Sequence, residues 1–150
     1  MPLAQHPVSE IRDAWHAFKA IETHTAADVE RQLALLSDDV VMQNPMMRAT
    51  GKDEVRAFLL QDIYWSKPVF SWECFSEDRV AMRWSQFPLR TKQREPALLH
   101  SCSTWKYAGG GKLSHYFATW CRVEALGVMQ DAGMRVDPTT FLGDIVSPAK

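Results

Sequence analysis

The chain has 150 residues, of which 46% are hydrophobic and 23% are charged, and its formal net charge is −1. This length suits one domain with a hydrophobic core, and the composition is ordinary for a soluble globular protein. The balanced charge excludes the strongly basic classes that bind nucleic acid or anionic membranes through charge alone. We expect a single domain over residues 1–150, with residues 1–8 as an arm and residues 134–150 as a tail or flap.

Neither the apolar segments nor the cysteines point to a membrane or an oxidising compartment. No apolar stretch approaches the roughly 20 residues of a membrane span, and the N-terminus lacks the order of a secretion signal. Cys74, Cys102 and Cys121 have no CxxC spacing and are expected to be reduced core residues. The basic residues 90–94 are expected in a solvated hairpin loop. We predict a cytoplasmic protein with no membrane partner, metal or cofactor.

The first third of the chain predicts two helices. Residues 9–23 form the first, with Ser9 as a possible cap. Its apolar positions fall on one stripe: Ile11, Trp15, Phe18 and Ile21. The second helix begins at Thr25, where Asp28 stands in the glutamate position of a capping box.

A strand and a third helix follow, separated by a proline. Residues 40–43 form an apolar strand that ends at Asn44, because the next residue, Pro45, cannot donate to a ladder. A break at a pocket rim can point Asn44 at a ligand. Residues 52–64 form the third helix, with Asp62 on or beside its apolar stripe. That carboxylate lies either at the helix edge in water or at a pocket mouth, with water favoured.

After residue 68 the hydrophobic period changes from 3.6 to 2, which predicts strands. Four are expected, over residues 69–75, 79–87, 97–107 and 112–123, with a glycine hairpin between the last two. Residues 124–133 end the domain as a helical turn. This order of elements predicts the α+β class.

Both faces of the predicted sheet are apolar. If Phe75 pairs with Val80, then Glu73 faces Met82, and a regular continuation places Ser71 opposite Trp84. A sheet that is apolar on both sides must be covered on both. We expect helices on one face and a second copy on the other, which gives a homodimer through the outer face.

Two segments carry a resemblance to a known family. Residues 35–45 read LLSDDVVMQNP, and residues 50–58 read TGKDEVRAF. With the glycines before Lys112, they resemble the nuclear-transport-factor-2-like superfamily, and within it the SnoaL-like and ketosteroid-isomerase-like small proteins. The resemblance implies a cone-shaped α+β barrel in which three N-terminal helices pack on a curved, mainly antiparallel sheet that encloses a pocket. Such proteins include isomerases, cyclases, dehydratases, epoxide hydrolases and binding modules.

The family's catalytic groups are only partly present. A ketosteroid-isomerase-like mechanism needs a carboxylate base and an oxyanion hole from a tyrosine and a protonated aspartic acid. Asn44 stands at the base position, Ser103 at the aspartic acid position, and the first helix has no tyrosine. A SnoaL-like cyclase would need an aspartate on the last strand, where Glu124 is the nearest carboxylate. Chemistry of the steroid-isomerase kind is disfavoured.

Glu73 is expected to be the one carboxylate of the sheet that faces the pocket. Burial beside Met82 and Trp84 would raise its pKa and make it a general acid or base. The alternative is a structural ion pair with Arg122 or an edge arginine. Tyr116 either donates a hydrogen bond to a ligand carbonyl or is a core tyrosine. The expected substrate contacts are Trp15, Phe18, Phe58, Met82, Trp84, Ser103, Trp120 and Arg122, and the expected catalytic group is Glu73, Tyr116 and Asn44.

Two functions remain open from the sequence. The first is an enzyme that isomerises, cyclises or dehydrates a hydrophobic small molecule of the polycyclic or terpenoid kind. The second is a non-catalytic binding or assembly module of the same fold. In the first case Glu73→Gln is expected to abolish turnover. His100 and His115 are expected on the outer face, although a one-residue slip would turn them inward.

Overall fold

The computed structural model describes residues 6–90 and 95–138. Within them lie four α-helices: Val8–Lys19 (α1), Ala26–Leu33 (α2), Gly51–Leu60 (α3) and Arg122–Asp131 (α4). The strands are Leu36–Gln43 (β1), Arg48–Thr50 (β2), Val69–Phe75 (β3), Arg79–Gln86 (β4), Leu99–Gly109 (β5) and Lys112–Thr119 (β6). A short 3-10 helix, Gln61–Tyr64, continues α3. Most of the predicted basic loop, and most of the predicted tail and arm, lie outside the described residues.

The six strands form one curved, mixed sheet in the order β2-β1-β6-β5-β4-β3. β1 pairs with β6 in parallel, and the other pairs are antiparallel. Register shifts interrupt three of the pairings, and such bulges bend a sheet. The predicted α+β architecture of helices on a curved sheet is confirmed, with the sheet not closed into a full barrel.

The hydrophobic core lies between the concave face of the sheet and helices α1 to α3. Its members from the helices include Ile11, Trp15, Val29, Leu33, Val55, Phe58 and Leu59, and those from the sheet include Val40, Met42, Val80, Met82, Trp84, Trp105 and Leu113. A smaller cluster joins α4 to β5 through Leu126, Val128 and Leu99. These two clusters hold the helices over the concave face and leave space between them.

Several boundaries differ from the predicted ones. The strand predicted to begin at residue 40 begins at Leu36, and the last strand ends at Thr119 rather than residue 123. β2 has only three residues, too few for a periodicity to predict it. The capping box of Thr25 and Asp28 is confirmed, whereas the Ser9 cap is wrong because α1 begins at Val8 without a side-chain cap.

The register of β3 and β4 is partly as expected. Phe75 pairs with Val80 and Glu73 with Met82, as predicted. The pairing of Ser71 with Trp84 is wrong, because a bulge between Phe70 and Trp72 places Phe70 opposite Trp84. One extra residue in a strand reverses the faces of the residues beyond it.

The three cysteines lie at the surface of the protein and not in its core. Cys74, Cys102 and Cys121 are free, but all three are exposed, so their predicted core position is wrong. His100 and His115 are exposed, as expected for the outer face. Among the described helices, none is long and apolar enough to cross a membrane.

Candidate functional site

A cavity of about 440 Å³ lies between the concave face of the sheet and the helices. Ligand sites in proteins typically occupy roughly 300–1,000 Å³, so this space can hold a small organic molecule. Its mouth is formed by charged residues that include Glu22, His24 and Lys67, and an ion pair of 2.5 Å joins Glu22 to Lys67. The interior is mostly apolar, because many of the inward side chains of the sheet that line it are hydrophobic.

Nine of the predicted site residues line this cavity: Trp15, Phe18, Asn44, Phe58, Met82, Trp84, Ser103, Tyr116 and Trp120. The aromatic rings of the cavity wall contact one another in several geometries, and Trp15 and Phe18 are stacked with centroids 6.2 Å apart. The rings of Trp105 and Tyr116 have centroids 4.9 Å apart at 44°, and Phe58 meets Tyr116 edge-on at 6.4 Å. Such walls favour flat apolar ligands.

Glu73 is not among the residues that line the cavity. Its Oε1 accepts hydrogen bonds from Trp15 Nε1 at 2.9 Å and from Lys19 Nζ at 2.5 Å, with His16 3.9 Å from Oε2. Burial alone raises the pKa of Glu73, but these hydrogen bonds and the Lys19 charge outweigh burial and bring it below its usual value. The expected raised pKa is therefore wrong. Glu73 is an ionised structural partner, with Lys19 in place of the expected arginine.

Arg122 and Asn44 also differ from expectation. Arg122 is the first residue of α4, because the chain leaves the sheet after Thr119, and it is not among the described residues of the cavity wall. Asn44 does lie at the cavity, but its Oδ1 accepts hydrogen bonds from the backbone N–H groups of Met46 and Met47 at 2.8 and 3.0 Å. The Asn44 carbonyl therefore stabilises the turn from β1 to β2.

Asp62 lines the cavity, whereas the sequence analysis favoured a position at the helix edge in water. It lies in the 3-10 helix after α3, four residues beyond Phe58, and both line the cavity. Within the described residues, its carboxyl has no ion pair or hydrogen-bond donor. Burial raises the pKa of Asp62 to about 7. The helical spacing from Phe58 was the available signal, since residues four apart share a helix face.

Tyr116 faces Asp62 across the cavity as a neutral hydrogen-bond donor. Burial raises the pKa of its phenol well above the usual value, the negative charge of Asp62 adds to this rise, and contacts with Ser103 and Trp84 oppose it. The phenol therefore stays protonated at neutral pH.

Ser103 and Trp84 lie beside the phenol of Tyr116. Trp84 Nε1 donates to Ser103 Oγ at 2.7 Å, and this bond is buried. An indole N–H can only donate, so Ser103 accepts from Trp84 and can give its own proton to the Tyr116 oxygen. The Tyr116 proton then remains available to a ligand in the cavity.

Asp62 and Tyr116 together form an acid–base pair in a mostly apolar space. A carboxyl with a pKa near 7 exchanges protons readily at neutral pH, which is the requirement for a general acid or base. A fixed phenol can stabilise negative charge on a ligand oxygen. Over residues 6–90 and 95–138, no group of three histidine, cysteine or acidic side chains is placed to hold a metal ion.

Comparison with known proteins agrees with the fold. The family model of the SnoaL-like domain matches residues 11–116. The chain belongs to the SnoaL-like family. This membership confirms the resemblance to the nuclear-transport-factor-2-like superfamily, whereas a search of curated proteins finds no match.

Similar solved structures share this fold at low sequence identity. A candidate ketosteroid isomerase from Kribbella flavida is 14% identical, with a TM-score of 0.60 over 95% of this SnoaL-like chain and 91% of that one. An LEH-like epoxide hydrolase from M. tuberculosis is 15% identical, with a TM-score of 0.60 over 93% and 96%. An NTF2-like protein of unknown function from Burkholderia pseudomallei is 17% identical, with a TM-score of 0.60 over 80% and 94%. At these identities the likeness concerns the fold alone.

Proposed function

We propose that this SnoaL-like protein is an acid–base enzyme for a hydrophobic small molecule that carries a carbonyl oxygen. The observation that carries the proposal is the Asp62 carboxyl, which has no charge partner among the described residues and lines an apolar cavity together with Tyr116. Asp62 would move the proton, and Tyr116 would hold the oxygen. No cofactor is part of this proposal.

The proposed step is a proton transfer next to the carbonyl. Asp62 in its ionised form takes a proton from the carbon beside the carbonyl, and the bonding electrons move into an enolate. Tyr116 donates a hydrogen bond to the enolate oxygen. With a β,γ-unsaturated ketone the enolate is a dienolate, and the protonated Asp62 returns its proton to the γ-carbon, which moves the double bond into conjugation with the carbonyl and completes an isomerisation. With a leaving hydroxyl or a second carbonyl on the substrate, the same carbanion would lead to dehydration or cyclisation.

The cavity supports a substrate built mainly of rings or branched hydrocarbon. Its volume of about 440 Å³ and its indole, phenyl and thioether walls favour a polycyclic or terpenoid-like skeleton. Polar side chains of the lining that include Asp62, Tyr116, Ser103 and Gln32 offer partners for oxygen atoms of such a ligand.

A non-catalytic binding module of the same fold is the second candidate. Three observations favour it: Glu73 is held by Lys19, Asn44 is used in a turn, and Ser103 replaces an acidic residue. The two candidates share the cavity and the ligand class, and they differ in whether Asp62 transfers a proton.

Hydrogen–deuterium exchange separates the two candidates without knowledge of the natural substrate. The wild type is incubated in D₂O with a panel of cyclic β,γ-unsaturated ketones and decalones, and deuterium beside the carbonyl is followed by NMR. We expect accelerated exchange that falls at least 100-fold in Asp62→Asn, because general acid–base catalysis contributes about 10²- to 10⁴-fold. Tyr116→Phe should lower it at least tenfold.

The controls assign the effect to one carboxyl. Asp53→Asn changes an exposed carboxylate on α3 and should leave exchange unaltered. Glu73→Gln should retain most of the exchange if Asp62 is the base, whereas loss in Glu73→Gln and retention in Asp62→Asn would reverse the assignment. Binding of the ketones without any accelerated exchange would favour the binding module.

The homodimer through the outer face also remains a proposal. The outer face exposes large apolar side chains on two strands, namely Val69 and Trp72 on β3 and Phe117 on β6, with exposures of 68%, 46% and 50%. A second copy could cover them, since exposed apolar patches often mark association sites.

A further inference from the structure

A groove on the outer face of the sheet collects cationic side chains from three strands and a histidine from a fourth. Its lining includes Arg48 of β2, Lys106 of β5, Arg79 of β4 and His115 of β6. The groove lies on the opposite face of the sheet from the acid–base cavity, and Tyr116 is the one described residue that lines both. Its volume is about 260 Å³, the size of a small ion or of one charged group of a larger molecule.

The strand register places like charges directly opposite one another. Arg79 pairs with Lys106, and Lys106 pairs with His115 on its other side. The opposed charges of Arg79 and Lys106 destabilise the sheet at this point, because their side chains extend from the same face at close range. Such a row is unfavourable for folding, so a binding role offers a reason for it.

Few negative charges compensate the row. Within the described residues, Asp78 is the carboxylate beside it, and Asp78 is already held by Arg79 through contacts of 2.9 and 3.0 Å. No ion pair joins Arg48 or Lys106 to an acidic side chain in this part of the chain. Of the three permanent cations, only Arg79 has an ion pair among the described residues, in a protein whose net charge is −1.

The rest of the groove adds neutral hydrogen-bonding groups. Gln43 of β1 and Thr104 of β5 lie in the next row, to either side of Phe117, and all three line the groove. An amide and a hydroxyl can donate to oxygen atoms that a lysine and an arginine attract. This combination matches the acceptor oxygens of an oxyanion.

We infer that this groove binds an oxyanion group, a phosphate or a carboxylate, with Arg48 and Lys106 as the principal charged contacts. Arg79 is a weaker contributor because Asp78 already neutralises it. The site lies outside the acid–base cavity and does not depend on the proposed enzymatic function.

Titration of the full chain with inorganic phosphate tests this inference. Amide chemical shifts in ¹⁵N-labelled protein should move saturably at Thr104, Lys106 and Phe117. The double variant Arg48→Gln/Lys106→Gln should weaken binding at least tenfold. Arg83→Gln removes a cation of the same face that lies opposite Cys102, outside the groove, and should change the affinity less than twofold.

The outcomes either support or overturn the site. A parallel titration with tricarballylate identifies the preferred source of the oxyanion: tighter binding than phosphate indicates carboxylate ligands, and weaker binding indicates phosphate. Absence of saturable shifts at the groove with both anions would overturn the inference. Equal weakening in Arg83→Gln and in the double variant would do so as well, since it would show only diffuse attraction to a basic face.

Discussion

At the scale of single residues, environment rather than identity decides which carboxyl can act. Glu73 and Asp62 are both partly buried acids near the same helices. Glu73 accepts hydrogen bonds from Trp15 and Lys19, which keep it in its ionised form. Asp62 has mainly apolar surroundings, and burial raises its pKa to about 7. The acid with a partner serves the fold, and the acid without one is available for chemistry.

The raised pKa of Asp62 makes the stability of the fold depend on pH. A carboxyl with a higher pKa in the folded than in the unfolded chain reduces stability as the pH rises from about 4 to about 7. Asp62→Asn removes the ionisable carboxyl and therefore this loss of folding stability at higher pH. We expect equal unfolding free energies for the two proteins near pH 3.5, and an advantage for Asp62→Asn of about 1–3 kcal/mol above pH 7.5.

Urea unfolding curves at several pH values measure that difference. Asp53→Asn is the matched control, because Asp53 is an exposed carboxylate on α3 that does not line the cavity. A pH-independent difference for Asp62→Asn would show that the Asp62 carboxyl is solvated like an ordinary surface acid.

At the scale of elements, caps and bulges set where side chains point. The bulge of β3 turns Phe70 into the core and Ser71 outward. The end of β6 at Thr119 starts α4 early and takes Arg122 away from the cavity wall. These local irregularities change the cavity wall at single positions, whereas hydrophobic periodicity predicts most of its other residues.

The capping box of α2 should contribute measurably to stability. Thr25 accepts from the Asp28 N–H, and the Asp28 carboxylate accepts from the Thr25 N–H at 2.8 Å. We expect Thr25→Ala to lower the free energy of unfolding by about 1 kcal/mol. Thermal or urea unfolding measures the change.

Thr50 provides the control for that substitution. It is the residue before α3 but makes no side-chain cap hydrogen bond. Thr50→Ala should therefore change stability by less than about 0.5 kcal/mol. Equal losses in the two variants would show that the loss reflects the threonines themselves and not the cap.

At the scale of the whole molecule, the two faces of the sheet carry different kinds of side chains. Its concave face holds an apolar cavity with one carboxyl–phenol pair, and its outer face carries aromatic side chains among cations. If two outer faces meet in a dimer, Arg83 and Lys106 of each copy approach like charges of the other. Salt should then screen their repulsion and strengthen association.

Sedimentation velocity in 0.05 and 0.5 M NaCl tests this proposal. We expect the dimer fraction to rise with salt, and Trp72→Ala to weaken the dimer at least tenfold because it removes an exposed indole. Leu89→Ala, which changes an exposed apolar residue outside the strands, should have little effect. A monomer under all conditions, or a dimer insensitive to Trp72→Ala, would exclude the outer-face interface.

The sequence by itself determined the class of the fold, the order of its helices and strands, and most of the cavity wall. Hydrophobic periodicity is local information, and inward residues such as Met82, Trp84, Ser103 and Tyr116 follow from it once a strand is recognised. Only the tertiary structure decided that Lys19 reaches Glu73, that Asp62 has no partner among the described residues, and that Arg79, Lys106 and His115 share a row. Those relations join residues distant in the chain, and the ionisation of a group depends on all its neighbours in space.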